Sequence, residues 1–245
     1  MRTPLVLVAS SMMTLLVVAA CSSSDDAPIG GSSSSSSGGA SSSSSSGGGS
    51  SSSSSGSSGA DASTDAVAEA TVDAGPSMTF FVSSTPGGNG GNLGGLAGAD
   101  AKCQALATAA GAGGKTWHAY LSVAGTNAKD RIGTGPWYNQ KLKMIAANVA
   151  GLHTTNLLAA DVVDEKGTAP PRNMHDILTG TAADGTAVTD TCTNWTSNAG
   201  NVNGFLGHSD SSTGRWNNAH PSSGCSAANL VGTGGNGRIY CFAIN

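Results

Sequence analysis

The sequence predicts a disulfide-fixed, loop-rich domain that mixes helices with strands and follows a long polar tether. Helical and strand-like patterns alternate from residue 76 to residue 245, whereas the segment before them is dominated by Ser and Gly. Four of the five cysteines lie in this C-terminal part. A domain rich in Gly, Ser, Asn and Thr has little apolar area to bury, so we expect covalent cross-links to supply much of its stability.

The first 20 residues have the pattern of an export signal, with Arg2 before an apolar run that is too short and too polar to span a membrane comfortably. The small residues before Cys21 resemble the lipobox of bacterial lipoproteins. That resemblance implies that Cys21 carries two or three acyl chains, which anchor a protein stably in a lipid bilayer. Ser22 stands where an Asp often retains such proteins in the inner membrane, so we expect the outer membrane or cell surface. An ordinary signal peptide with an incidental Cys21 is the alternative.

Residues 21–75 are expected to form a flexible tether, Ser/Gly-rich and then acidic, because that composition cannot build a packed core. The tether carries six acidic residues and no basic one. The domain that follows, residues 76–245, is close to neutral, with ten Lys and Arg against nine Asp and Glu. Nucleic-acid binding needs clustered cations, so nucleic acid is excluded as an expected partner.

The regular elements are predicted from hydrophobic periodicity. A helix over Leu96–Ala110 places Cys103 on its buried face and ends before Gly111, which we expect to cap it. The other predictions are a short helix near Asn148–His153 and four strands, at Thr79–Ser83, Thr116–Ser122, Met174–Leu178 and Arg238–Ala243. Gly232–Gly237 matches the Gly-x-Gly-x-x-Gly pattern, but a β-like segment follows it, so we interpret it as a hairpin insertion and not a dinucleotide site.

The four remaining cysteines predict two disulfides with three possible connectivities, and none forms a Cys-x-x-Cys pair. Five motifs occur in order: Gly98-Ala99-Asp100-x-x-Cys103, Ala119-Tyr120-Leu121-Ser122, Leu178-Thr179-Gly180-Thr181-x-x-Asp184-Gly185, Cys192-x-x-Trp195 and Ile239-Tyr240-Cys241-Phe242. This order resembles the endostatin-like branch of the C-type-lectin fold, and bacterial surface lipoproteins that share it. The resemblance implies an α+β domain with two helices on a twisted, mostly antiparallel sheet and long loops. It also implies the pairs Cys103–Cys241 and Cys192–Cys225.

Gly214-Arg215-Trp216-Asn217-Asn218 is similar to the Trp-Asn-Asp segment of sugar-binding C-type lectins. That similarity implies a ligand site at Trp216, Asn217 and Asn218, with Asp210 and His208 nearby and calcium as the candidate ion. Asn218 replaces the Asp of that segment, and the chain has no Glu-Pro-Asn or Gln-Pro-Asp partner motif. The favoured interpretation is therefore that Trp216 belongs to the core and that the two Asn side chains make turn hydrogen bonds.

No catalytic set is expected. His208-Ser209-Asp210 are adjacent, and neighbours in an extended chain point to opposite faces, so they cannot form a relay among themselves. A Gly-x-Ser-x-Gly elbow is missing from the sequence. The five histidines show no metal-ligand spacing, so no bound metal is predicted beyond the candidate calcium.

These features predict a non-catalytic surface lipoprotein whose domain binds a glycan or a protein outside the cell. One alternative is an envelope structural or spacer protein without a specific ligand. Another is a hydrolase that uses dispersed residues such as His208, Asp210 and His220.

Overall fold

The fold is organised around its C-terminal strand. The computed structural model describes residues 75–154, 157, 159–211 and 213–244. Its strands are β1 (Phe80–Val82), β2 (Trp117–Ala119), β3 (Trp137–Tyr138), β4 (Met144–Ala146), β5 (Asp176–Leu178), β6 (Phe205–His208), β7 (His220–Pro221) and β8 (Gly235–Ala243). The main sheet has the order β1-β8-β5-β6-β7, with β2 also paired to β8, while β3 and β4 form a separate two-stranded sheet. Only the β5–β8 pair among these is parallel.

Four helical segments accompany the strands: α1 (Gly95–Ala109), α2 (Val149–Thr154), α3 (Cys192–Trp195) and α4 (Ala227–Thr233). Two 3₁₀ turns lie at Ala128–Asp130 and Arg172–Met174. The predicted long helix and its C-terminal cap are confirmed: Gly111 has a φ of 79°, in the left-handed region that glycine enters at little cost. The short second helix is also confirmed.

The interpretation of Gly232–Gly237 as a hairpin insertion is wrong. Its first residues end α4, Gly234 caps that helix, and its last three residues begin β8. The order is therefore helix then strand, the reverse of the strand-then-helix order on which a dinucleotide site depends.

Two apolar clusters pack against opposite faces of the sheet. Successive side chains of a strand point to opposite faces, and in β8 Ile239 and Cys241 belong to one cluster while Tyr240 and Phe242 belong to the other. The first cluster includes the buried face of α1, with Cys103 fully enclosed. All four Trp side chains are buried, so the few large residues of this polar chain are concentrated in these clusters.

Both disulfides implied by the family resemblance are present. Cys103–Cys241 joins α1 to β8, and Cys192–Cys225 joins α3 to the segment just before α4. Disulfides persist in oxidising compartments, so they indicate an extracellular or envelope location. In the part of the chain that the structure describes, no helix has both the length and the apolar character needed to cross a bilayer.

The mixed α+β class is confirmed, including a sheet that is mostly antiparallel. Beyond the two expected helices, the described residues form α4, which lies in the Gly- and Asn-rich region where periodicity gives no signal. The segment α3 in the same region is a turn whose four residues all have positive φ, so it is not a right-handed helix. The predicted signal peptide, the acylated Cys21 and the tether lie outside the described residues, apart from Gly75 at the tether's end.

Candidate metal centre

Three histidines and one aspartate converge at one end of the sheet, at its β5–β6–β7 side. Nε2 of His175 lies 3.3 Å from Oδ1 of Asp176, and Nε2 of His208 lies 3.2 Å from the same oxygen. Nε2 of His220 lies 3.6 Å from Oδ2 of Asp176 and 2.9 Å from Nε2 of His208. We call these four residues the His/Asp cluster.

Strand register brings the His/Asp cluster together. Asp176 opens β5 and His208 closes β6, and the two are direct partners in that antiparallel pair, so their side chains share one face. His220 opens β7 opposite Leu206, two residues from His208, and therefore lies on the same face. His175 is in helical conformation at the end of the Arg172–Met174 turn, which lets it join its neighbour instead of pointing away.

The Asp176 carboxyl group is buried without a hydrogen-bond donor. Its side chain is 0% exposed, and neither oxygen has a hydrogen-bond partner. Burial raises the pKa of Asp176, while His220, His175 and His208 act in the opposite direction. Leaving a buried carboxylate unpaired is costly, so the group needs a positive partner or a proton.

Two of the three imidazoles have a fixed tautomer. Nδ1 of His175 lies 2.7 Å from the carbonyl oxygen of Arg172, and Nδ1 of His220 lies 3.1 Å from that of Pro221. A carbonyl can only accept, so Nδ1 carries the proton in both rings and the neutral imidazole presents the lone pair of Nε2 to Asp176. Histidine metal ligands are typically oriented in this way, by donating their other N–H to a backbone carbonyl.

Two of the donor–donor distances in the His/Asp cluster suit a small ion with nitrogen ligands. His175, Asp176 and His208 each offer one donor atom, all within 4.8 Å of one another. Tetrahedral zinc with bonds of about 2.0–2.1 Å places its donors roughly 3.3 Å apart, close to the 3.2 and 3.3 Å from Oδ1 of Asp176 to the two nearer rings. The imidazoles are 24–39% exposed above the enclosed carboxylate, so the site is reached from solvent on the histidine side.

Burial also perturbs His208. It lowers the pKa of this ring, with Asp176 acting against that change. A ring with a lowered pKa is neutral at physiological pH, the state in which histidine binds a metal.

Two of the residues predicted as ligands from the Trp-Asn-Asp similarity, Trp216 and Asn217, lie inside the domain, which corrects the expectation for them. Trp216 is 2% exposed and Asn217 is 1% exposed. Asn218, half-buried, donates through Nδ2 to the carbonyl oxygen of Thr181. Because Trp216 and Asn217 are covered, this segment cannot present a calcium–sugar surface. The favoured interpretation, a core Trp beside hydrogen-bonding Asn residues, agrees with these contacts.

Asn217 instead supports an internal hydrogen-bond chain. Its Nδ2 lies 2.9 Å from the hydroxyl of Tyr120, which lies 2.7 Å from Nε2 of His153. Nδ1 of His153 faces the carbonyl oxygen of Val149 at 2.8 Å, so that nitrogen donates and Nε2 accepts from Tyr120. Desolvation raises the pKa of Tyr120 and lowers that of His153, so both side chains stay neutral over the physiological range.

The structure separates the roles of His208, Ser209 and Asp210. His208 faces Asp176 and His220, whereas Ser209 donates its backbone N–H to the carbonyl oxygen of His175. Asp210 is exposed. The three adjacent residues therefore form no relay among themselves, as expected, whereas three histidines without ligand spacing in the sequence come together in the structure. Residues 175, 208 and 220 are far apart in the chain and meet only through β-pairing.

These features define the class of protein: a disulfide-linked α+β domain with a candidate metal centre at one end of its sheet. The chain belongs to the family described as protein of unknown function (DUF1554), whose model matches residues 86–212, just over half of its length. His175, Asp176 and His208 lie inside the matched segment, and His220 lies after it. Comparison with curated proteins gives no match.

Proposed function

We propose that this domain is a metal-binding module of the bacterial envelope that binds Zn²⁺ at the His/Asp cluster. One observation carries the proposal: a fully enclosed carboxylate without a hydrogen-bond donor faces imidazoles whose ligating nitrogens are already oriented toward it. A bound dication would satisfy the carboxylate and the Nε2 lone pairs at once.

The donor set selects the ion. Calcium takes six to eight oxygen ligands, whereas the His/Asp cluster offers mainly nitrogen and a single carboxylate. Imidazole suits zinc, copper, nickel and iron, of which zinc needs no redox partner and accepts a tetrahedral set of three or four protein ligands. We therefore propose zinc for the His/Asp cluster and not the candidate calcium of the Trp-Asn-Asp similarity.

Titration calorimetry of the full chain with ZnCl₂ tests the proposal. The expected result is one zinc per chain, with an affinity that falls by at least about tenfold in His208→Ala. His118→Ala is the matched control, because His118 lies on β2, outside the His/Asp cluster, where its Nδ1 hydrogen-bonds the carbonyl oxygen of Arg131. No binding heat above that of CaCl₂, or equal zinc affinity in the two variants, contradicts the assignment.

The setting of this module follows from the sequence. Under our proposal the chain is exported, acylated at Cys21 and held at the outer membrane or cell surface on the 21–75 tether. Its fold is of the C-type-lectin-like, endostatin-like type, and it acts as a non-catalytic binding module for a glycan or a surface protein. Metabolic labelling with a palmitate analogue tests the anchor: loss of label in Cys21→Ser is expected, and unchanged label in that variant contradicts it.

A second candidate function is the hydrolase that uses dispersed residues. It is favoured because His208 and His220 converge, although they meet Asp176 and not the expected Asp210. Zinc with an open coordination position lowers the pKa of bound water to about 7, which creates a nucleophile. Zinc-dependent hydrolysis of chromogenic ester and phosphoester probes, abolished by His220→Ala, is required for this function. Zinc binding without any turnover of these probes contradicts the hydrolase and is consistent with the binding module.

A further inference from the structure

The surface around α3 has features of a second binding site. We propose that this α3 surface, formed by Thr189, Thr193, Asn194, Asn201 and Asn203, binds an uncharged oligosaccharide. The inference rests on the proposal that the domain is a binding module and does not depend on the metal.

The backbone of α3 is strained. All four of its residues have positive φ: Cys192 at 49°, Thr193 at 57°, Asn194 at 55° and Trp195 at 63°. Non-glycine residues enter this left-handed region rarely and usually singly, and a β-branched residue such as Thr193 is an outlier there. Such strain persists only where the surroundings impose it, and it clusters at ligand sites.

Both ends of the strained turn are fixed in the core. Cys192 is tied to Cys225 by the disulfide, and Trp195 is completely buried with its indole N–H donating to the carbonyl oxygen of Ser122 at 2.8 Å. Thr191 caps the turn by accepting the backbone N–H of Asn194 at 3.2 Å. Thr193 and Asn194, between the two anchors, are exposed. The fold therefore holds a strained backbone rigidly and presents its two central side chains to solvent.

Two clefts flank these exposed side chains. The cleft on one side, about 350 Å³, is lined by Thr189, Thr193, Asn201 and Asn203. A second, of about 440 Å³, reaches Asn194. Both clefts are open to solvent.

The polar side chains of the first cleft are available to a ligand. In the described part of the chain, the side chains of Thr189, Thr193, Asn201 and Asn203 form no hydrogen bond, and all four residues are exposed. Hydroxyl and amide groups of this kind can donate and accept, as sugar hydroxyls do.

The lining also specifies an uncharged ligand with apolar faces. Asp190 is the single charged residue among those that line the two clefts, so neither an anion nor a polycation finds complementary charge. Ala124, Ala187 and Val188 give the second cleft an apolar wall. A neutral sugar ring matches this combination, since its C–H faces pack on apolar groups while its hydroxyls bond at the edges.

Titration of the ¹⁵N-labelled full chain with cellohexaose and maltohexaose, followed by NMR, tests the proposal. At least one neutral hexasaccharide is expected to shift the amide signals of Thr193, Asn194 and Asn203 in a saturable way, and a heparin hexasaccharide is expected to leave them unchanged. The same shifts are expected in EDTA, because the site uses no metal. Silence with both neutral sugars, shifts elsewhere, or loss of binding in EDTA overturns the proposal. The zinc titration is unaffected by any of these outcomes, so the two proposals fail separately.

A matched pair of glycine variants separates the effect of Thr193 on saccharide binding from the effect of relieving backbone strain. Thr193→Gly and Leu142→Gly each remove a left-handed non-glycine residue, since Leu142 has a φ of 59° and lies exposed in the β3–β4 connection. Both should raise the melting temperature by about 2–4 °C. Thr193→Gly alone is expected to weaken saccharide binding, by about five- to tenfold. Equal saccharide affinity in the two variants, or a lower melting temperature in Thr193→Gly, overturns the proposal.

Discussion

Removing the outer disulfide should destabilise the domain more than removing the inner one. All four cysteines are fully buried, so replacing either pair with Ala removes similar packing. The loops differ: Cys103–Cys241 spans 138 positions and Cys192–Cys225 spans 33. Chain entropy gives about 5 kcal/mol for the outer bridge and about 4 kcal/mol for the inner.

Two structural details affect that difference. The inner loop lies within the outer one, which shortens the effective outer loop to roughly 105 residues and leaves its contribution near 5 kcal/mol. Cys192 also has a left-handed φ of 49°, so cutting the inner bridge frees part of α3 from strain. This relief offsets some of the loss, and the gap between the two variants should exceed about 1 kcal/mol.

Urea denaturation of Cys103→Ala/Cys241→Ala and Cys192→Ala/Cys225→Ala measures both losses from the free energy of unfolding. Against a typical stability of about 5–15 kcal/mol, the outer variant should be at best marginally folded at 37 °C. A larger loss in the inner variant, or a loss below about 1 kcal/mol in either, would show that loop entropy does not determine how much each disulfide stabilises this domain.

Two further predictions concern the buried residues around His153 and Gly207. Burial lowers the pKa of His153, so the unfolded chain binds a proton below about pH 6.5 that the folded chain does not, and stability should fall as the pH drops below that value. His153→Gln should flatten this slope in melts between pH 7.5 and 5.5, and an unchanged slope would contradict the assignment. Gly207→Ala should cost several kcal/mol, since its Cβ would lie 1.8 Å from the carbonyl oxygen of Trp216. The control Gly232→Ala lies in α4 with open space around its Cβ and should stabilise by about 0.5–1 kcal/mol; similar urea midpoints in the two variants would count against the packing argument.

Local pattern was sufficient where the chain is apolar. The spacing of Ala99, Cys103 and Ala107 predicted α1, and all three are fully buried on its inner face. Strand β1 was predicted from three consecutive large apolar residues, which pack on both faces of the sheet. In these segments burial decides the structure, and burial leaves a periodic signal.

Local pattern failed where long-range contacts decide the structure. Helix α4 follows Ser226, whose side chain accepts the backbone N–H of Asn229 as an N-cap, but its sequence has no strong apolar stripe. The left-handed turn α3 is fixed by the disulfide of Cys192 and by the buried side chain of Trp195, whose partners Cys225 and Ser122 are distant in the sequence. Sequence alone therefore gives no way to anticipate these conformations.

The His/Asp cluster was missed for a related reason. Ligand spacing is recognisable when ligands share a helix or a short loop, whereas here they sit on three strands whose pairing sets their positions. One signal was available, because Asp176 lies in the strand predicted at Met174–Leu178. A charged residue in a buried strand requires a partner, and the histidines are candidates for that partner.

The positions of the disulfides bear on the proposed metal at this end of the sheet. One disulfide ties α1 to β8 and the other ties α3 to the segment before α4, so neither forms a covalent link among β5, β6 and β7. Strand β7 is two residues long, lies at the sheet edge and includes Pro221, which cannot donate to a ladder. Under our proposal zinc joins Asp176 of β5 to His208 of β6 and His220 of β7 and acts as a third cross-link. Zinc at about 100 times its Kd should then stabilise the folded chain by about 2.7 kcal/mol, and EDTA should remove that gain.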